Sequence, residues 1–217
     1  MIGQYAEVLQ VAALTLRIAL VATLLACAIG VPLGVWLGIS VFAGRRVALV
    51  LLNTALALPT VVVGLAIYLL ISRHGPFGQF DLLFTWKAIV VAEIILALPI
   101  ATALSAAGVQ AVDPRVRRTA LTLGAGPLRA AWAVAREARL ALAAAAAVAF
   151  GRVLSEVGAA LIVGGNIRHE TRTLTTAITL ATSQGQFGFA IALRLVLLAL
   201  ALTVNAIIQL LQGRGYA

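Results

Sequence analysis

The chain has 217 residues, 63% of them hydrophobic and 11% charged, with a mean hydropathy of +1.09 and a formal net charge of +9. That apolar load exceeds what a soluble domain carries and leaves no polar stretch large enough to close a separate aqueous core, so the sequence predicts one integral membrane domain over 1–217. The positive charge gathers at the ends of apolar runs and nowhere interleaves with aromatic residues, which fits membrane orientation and argues against nucleic-acid binding.

Segment 1–11 lacks the basic start of a secretory signal, and the apolar run behind it is too long for one, so it is read as retained structure. Five apolar runs follow, at 12–42, 47–71, 88–112, 140–163 and 189–211. At about 1.5 Å per residue each is long enough to cross a hydrocarbon layer of about 30 Å, so the predicted fold class is all-α, a polytopic membrane bundle of about five transmembrane helices. The first run contains Gly30, Pro32 and Gly34 and is expected to bend, tilt strongly or continue past the membrane surface. Cys27 lies inside it with no second cysteine in the chain, so an internal disulfide is impossible. Pro59 and Pro99 predict kinks in the second and third runs, a feature that suits a transport pathway and ordinary packing alike.

Five spans put the two ends on opposite sides of the membrane. With the amino terminus outside, the inner loops hold Arg45, Arg46, Arg115, Arg117, Arg118, Arg129, Arg136, Arg139 and Arg214, against Arg73, Lys87, Arg168 and Arg172 in the outer loops. Positive charge favours the cytoplasmic side, so the sequence predicts an external amino terminus, a cytoplasmic carboxyl terminus and a cytoplasmic insert at 113–139.

Asp113-Pro114 offers a helix cap followed by proline at the first helical position, and no breaker follows until Gly124. Gly124-Ala125-Gly126-Pro127 then supplies a left-handed stop and a restart, so two short helices should meet at a corner. Leu121, Leu123, Leu128 and Trp132 give the corner an apolar tip among arginines. Such an element either docks a water-soluble partner or anchors a basic loop at the lipid headgroups.

Downstream, Arg152 and Glu156 stand four residues apart and predict an ion pair inside the bundle, which either orients helices around a gate or simply neutralises two costly charges. Gly151, Gly158, Gly164 and Gly165, after an alanine-rich stretch, allow helices to approach closely. Asn166, Thr171, Thr173, Thr175, Thr176 and Thr179 place amide and hydroxyl donors near the outer end of the fourth span and in the loop behind it. Weak donors of this kind suit transit of a dehydrating oxyanion. Arg168 and Arg172 either concentrate anions at the mouth, touch an external protein, or are ordinary loop charges. His74 and His169 have no second ligand nearby, so no metal site is expected.

The corner resembles the coupling loop of binding-protein-dependent ABC importer permeases, whose pattern is Glu-Ala-Ala, three residues, then Gly. Gly124 matches the central glycine, Ala120 the second alanine and Leu123 the residue before the glycine. Arg118 and Thr119 replace the glutamate and first alanine, and Arg136-Glu137 stands where Leu-Pro is usual, so an acidic contact at position 118 does not carry over. Phe150-Gly-Arg152-Val-Leu-Ser155-Glu156-Val-Gly158-Ala159, Val163-Gly-Gly-Asn166-Ile-Arg168 and Thr171-Arg172-Thr-Leu-Thr175-Thr176-Ala-Ile178 resemble the molybdate and tungstate branch, closest to the tungstate type.

The resemblance implies a type I ABC importer permease-like fold in a prokaryotic plasma membrane. Arg118, Thr119, Ala120, Leu123, Gly124, Ala125, Gly126, Pro127 and Leu128 would couple to the ATPase, and Arg152, Glu156, Asn166, Thr171, Arg172, Thr175 and Thr176 would line the substrate pathway or gate. It also implies a homodimer of permeases, two ATP-binding-cassette ATPase subunits and an external substrate-binding protein. The chain has no Gly-x4-Gly-Lys-Ser/Thr phosphate loop, so ATP would be hydrolysed by the partner and no cofactor would be held here. No His-Glu-x-x-His or Gly-x-Ser-x-Gly pattern offers a catalytic residue. The other readings are a secondary transporter using Glu156 and Glu93 as proton carriers, and a passive anion channel.

Overall fold

The computed structural model describes residues 2–213, with side-chain surroundings given for 7–208 and 210; Arg214, one of the inner-loop charges counted above, lies outside the described residues. The described residues form an all-helical bundle: α1 (Ile2–Ile39), α2 (Arg45–Leu56), α3 (Thr60–Ile71), α4 (Trp86–Gln110), α5 (Pro114–Thr122), α6 (Pro127–Glu137), α7 (Arg139–Leu154), α8 (Gly158–Gly164), α9 (Leu174–Ser183) and α10 (Phe187–Gly213). Three apolar helices are long enough to cross a membrane, at Glu7–Ile39, Trp86–Gln110 and Phe187–Ile208. Two further spans arise if the pairs α2–α3, bent by 97°, and α7–α8, bent by 58°, each count as one.

The first predicted run is one uninterrupted helix of 38 residues, about 57 Å at about 1.5 Å per residue, with Pro32 inside it. Pro32 does not break it, and its length suits either a strong tilt or continuation past the membrane surface. Its glycines serve packing. A Cβ on Gly34 would come 2.5 Å from the Thr102 carbonyl oxygen and 2.6 Å from Ser105 Cβ, while one on Gly38 would meet Val109 at 2.7 Å and one on Gly30 would meet Ala101 at 2.9 Å. These three positions recur every four residues, so they share one face of α1 and let the α4 backbone lie directly against it. The partner numbers rise along α4 as the glycine numbers rise along α1, and Arg17 Cζ sits 4.2 Å over the Trp86 ring at the other end of the seam. The two helices therefore run parallel, and the bent α2–α3 pair is the return between them.

Pro99 sits inside a continuous α4, whereas Pro59 does more than kink its run: it ends the α2 segment and becomes the cap before Thr60. Pro has no N–H to donate and biases its predecessor out of the helical region, which explains the break at Leu58-Pro59. The fourth run is likewise two helices, with Ser155, Glu156 and Val157 between them. The main core lies where α1, α3, α4, α7 and α8 meet, around Ala22, Ala26, Ile67, Ile89, Ala97, Phe150 and Val163. Helix α9 is too short to span; it wedges Leu174, Ala177 and Ile178 between Val11 of α1 and Leu193 of α10.

Candidate functional site

At the far end of α4 the chain leaves the bundle through the α5–α6 corner. The Asp113 carboxylate accepts the Arg115 N–H at 2.8 Å and Pro114 begins the helix, so the cap and the missing donor both fall where a helix start tolerates them. At the other end the Ala125 N–H donates to the Ala120 carbonyl at 3.0 Å and the Gly124 N–H to the Leu121 carbonyl at 3.0 Å. This pair of bonds closes a helix only if the residue after its last turn is left-handed, and Gly124 has φ +84°. Gly126 and Pro127 then start α6, as the spacing predicted.

One side of α6 is fixed. Ala130, Val134 and Ala138, spaced by four, are buried, and Val134 and Ala138 pack with Val35 and Ile39 of α1 and Val109 of α4. The tip is not: Leu123 is 82% exposed, Leu128 84% and Trp132 72%. Arg118, Thr119, Gly124, Gly126 and Pro127 are exposed with them, and Ala120 and Ala125 are half-buried. Arg117, Arg118, Arg129 and Arg136 form no ion pair among the described residues. Large apolar side chains thus stand exposed among unpaired guanidiniums, on a scaffold seated against the ends of α1 and α4.

The second group of predicted residues is buried. Arg152 Nη1 donates to Glu156 Oε2 at 2.6 Å, and the Glu156 side chain is 2% exposed against 35% for Arg152. Glu156 lies in the α7–α8 break, so the pair that the spacing predicted on one helix face instead bridges a helix end and the joint behind it. Its other oxygen accepts the Ala159 N–H at 3.1 Å, capping α8, and its carbonyl accepts the Thr175 hydroxyl at 2.6 Å. Gly64 and Ala159 meet so closely that a Cβ on Gly64 would lie 2.8 Å from Ala159 Cα. Glu93 of α4 lies beside this joint, 3% exposed, and its Oε2 has no partner among the described residues. It shares with Thr15, Glu156, Thr173 and Thr175 a void of about 10 Å³, the room of a single water.

The threonines sort differently from a flexible donor array. Thr173 and Thr176 exchange side-chain and backbone bonds as a reciprocal cap of α9, so Thr175, Thr176 and Thr179 belong to a helix of their own and not to a loop. The Thr171 hydroxyl donates to the Gly164 carbonyl at 2.6 Å and accepts the Ile167 N–H at 2.9 Å. Asn166 adopts φ +52°, and its Oδ1 is buried without a partner among the described residues.

Near the start of α1, Glu7 receives Arg168 through Nε at 3.0 Å and Nη2 at 2.6 Å, and Arg172 Nη1 at 3.4 Å. The hydrogen bond to Glu7 pushes the exposed Arg168 guanidinium up from its ordinary range. These groups line a cleft of about 480 Å³ with Gln184, Gln186 and Phe189. Arg168 and Arg172 stand out in the sequence but Glu7 does not, since its pairing spans most of the chain and has no local signal. Because α1 and α4 run parallel, this cluster and the α5–α6 corner occupy opposite ends of the bundle.

Residues 30–214 match the model of the family described as binding-protein-dependent transport system inner membrane component. The chain belongs to that family. Relatives of this inner membrane component include a probable anion ABC transporter permease protein from Haloferax volcanii, 41% identical over 91% of this chain and 87% of that one. The tungstate uptake system permease protein TupB of Peptoclostridium acidaminophilum is 37% identical over 88% of this chain and 84% of its own. Among solved structures, the crystal structure of an amino acid ABC transporter with histidines superposes at a TM-score of 0.69 with 18% identity, covering 99% of this chain and 96% of that one. That likeness establishes the fold, a multi-pass helical bundle of ABC permease type.

Proposed function

We propose that this permease subunit passes an oxyanion, tungstate first and molybdate as the alternative, into the cytoplasm by alternating access. The carrying observation is the exposed α5–α6 corner: an apolar tip, free arginines and a base packed on the ends of α1 and α4. The relatives that transport tungstate and anions by name support the substrate class. In this reading the Glu7–Arg168–Arg172 end faces out and the corner faces the cytoplasm, in keeping with the excess of arginine at the corner's end. Arg118, Thr119, Ala120, Leu123, Gly124, Ala125, Gly126, Pro127 and Leu128 present the surface on which an ATPase subunit docks.

Two permeases, two ATPases and an external binding protein complete the importer. Closure of the ATPases on ATP pushes the two corners, and each corner moves the α1 and α4 ends it is seated on. The Arg152–Glu156 joint gives the α7–α8 span a defined place to pivot. Glu156, Thr175 and Thr176 act by holding that joint and α9 in register, while Asn166, Thr171 and Arg172 shape the outer mouth.

A second reading draws on Glu93, whose buried carboxylate beside Glu156 is the kind of group a proton-coupled carrier uses. One experiment separates the two. Affinity capture from mild detergent should bring down a nucleotide-hydrolysing subunit, and vesicles holding the captured complex and the binding protein should accumulate tungstate only with internal ATP. Accumulation driven by a proton gradient without ATP, and abolished by Glu93→Gln, would overturn the importer reading.

A further inference from the structure

At the end of the bundle remote from the corner, two guanidiniums from the α8–α9 loop converge on one carboxylate of α1. Glu7 takes Arg168 as a fork, Nε on Oε1 at 3.0 Å and Nη2 on Oε2 at 2.6 Å, while Arg172 Nη1 reaches Oε1 only at 3.4 Å. A carboxylate has two oxygens and Arg168 uses both, so Arg172 is poorly served. Its Nε is buried with no partner among the described residues, and its Nη2 finds only the Asn166 carbonyl, at 3.5 Å. Glu170, the other acidic residue of the loop, is exposed and makes no ion pair among the described residues.

The loop does not owe its shape to Glu7. The Thr171 hydroxyl holds it to the Gly164 carbonyl and the Ile167 N–H, and His169 Nδ1 meets Gln10 Oε1 at 3.0 Å, a second tie to α1. A guanidinium offers a tetrahedral oxyanion the same paired N–H groups that it offers a carboxylate. The oxyanion, however, brings four oxygens and a second negative charge, enough for both arginines where Glu7 satisfies one. The cleft beside them, about 480 Å³ and lined also by Gln184 and Gln186, has the size of a small-molecule site, which runs from about 300 to 1,000 Å³.

Resting on the oxyanion reading above, we propose that Arg168 and Arg172 form a receiving site for a tetrahedral dianion, and that the Glu7 carboxylate occupies this site while no anion is present. Glu7 leaves by rotating its own side chain, without any change in the helix that carries it. A competitor tethered to the site lowers the apparent affinity to the fraction of time the site is open. Two charges that would otherwise hold a dianion firmly thereby become a site that passes it on.

The test titrates tungstate, and separately sulfate, into the assembled permease–ATPase complex in nanodiscs without the binding protein. Glu7→Gln keeps an amide oxygen for Arg168 but gives up the competing charge, and should bind both anions about tenfold more tightly than the wild type. Arg172→Gln, in the otherwise unchanged chain, should weaken binding about tenfold, a readout that does not depend on the Glu7 variant assembling. Equal affinities in the wild type and Arg172→Gln would overturn the proposal. So would a Glu7→Gln complex that melts earlier yet binds no better, since Glu7 would then be a structural tie. If Glu7→Gln binds both anions more tightly while the complete importer accumulates neither on ATP, the cargo reading fails and the anion site stands.

Discussion

The α5–α6 corner and the α7–α8 joint are both interrupted helices, and they differ in what they expose and what they bury. The corner satisfies its open backbone groups locally, through Asp113, Gly124 and the bonds closing on Ala120 and Leu121, and leaves its large side chains bare. The joint adds to its local partners, Arg152 and Ala159, one from a separate helix, Thr175, all converging on Glu156, which is almost fully buried. A break closed only locally can be pushed as a rigid body, whereas a break also tied to another helix, as Glu156 is to Thr175 of α9, follows how that helix moves. In the proposed mechanism that difference gives force reception to the corner and pivoting to the joint.

Substitutions at the joint and the packing seam should cost stability, and those at the corner should cost coupling. The largest effect is expected from Arg152→Ala, which leaves the Glu156 carboxylate buried and unpaired and should lower stability by about 3 kcal/mol, read as an earlier thermal unfolding transition in detergent. Gly34→Val forces a side chain into the Thr102 carbonyl and should cost about 2 kcal/mol or prevent assembly, since backbone cannot yield as a flexible side chain does. Thr175→Val removes one hydroxyl from the Glu156 carbonyl and should cost about 1 kcal/mol. Gly124→Val belongs at the small end for stability, about 1 kcal/mol of left-handed strain with nothing within 4 Å to clash, yet it should uncouple ATP hydrolysis from uptake. A stable Arg152→Ala protein, or a Gly124→Val protein that transports normally, would erase the distinction between the two breaks.

The corner was legible in the sequence because every signal that builds it is local: a cap, a proline, a glycine and a second proline within fifteen residues. The candidate spans were legible for a similar reason, as run length and hydropathy need no partner. The seam of Gly30, Gly34 and Gly38 was not, because small residues beside a proline read equally as a bend, and only the α4 surface opposite them decides. The threonines misled toward a donor array in a loop since sequence shows a hydroxyl but not what it bonds; Thr173 and Thr176 cap their own helix.

The claim on which the rest depends is that the corner receives work from a nucleotide-hydrolysing subunit inside the cell. Its most direct measurement is cross-linking of Leu128→Cys, in the Cys27→Ser background, within membranes containing the assembled complex. The account predicts a covalent adduct between the permease and the ATPase whose yield changes when ATP is added, and no reaction of that thiol with an impermeant reagent applied to intact cells. Modification from outside the cell, with no adduct formed, would contradict it.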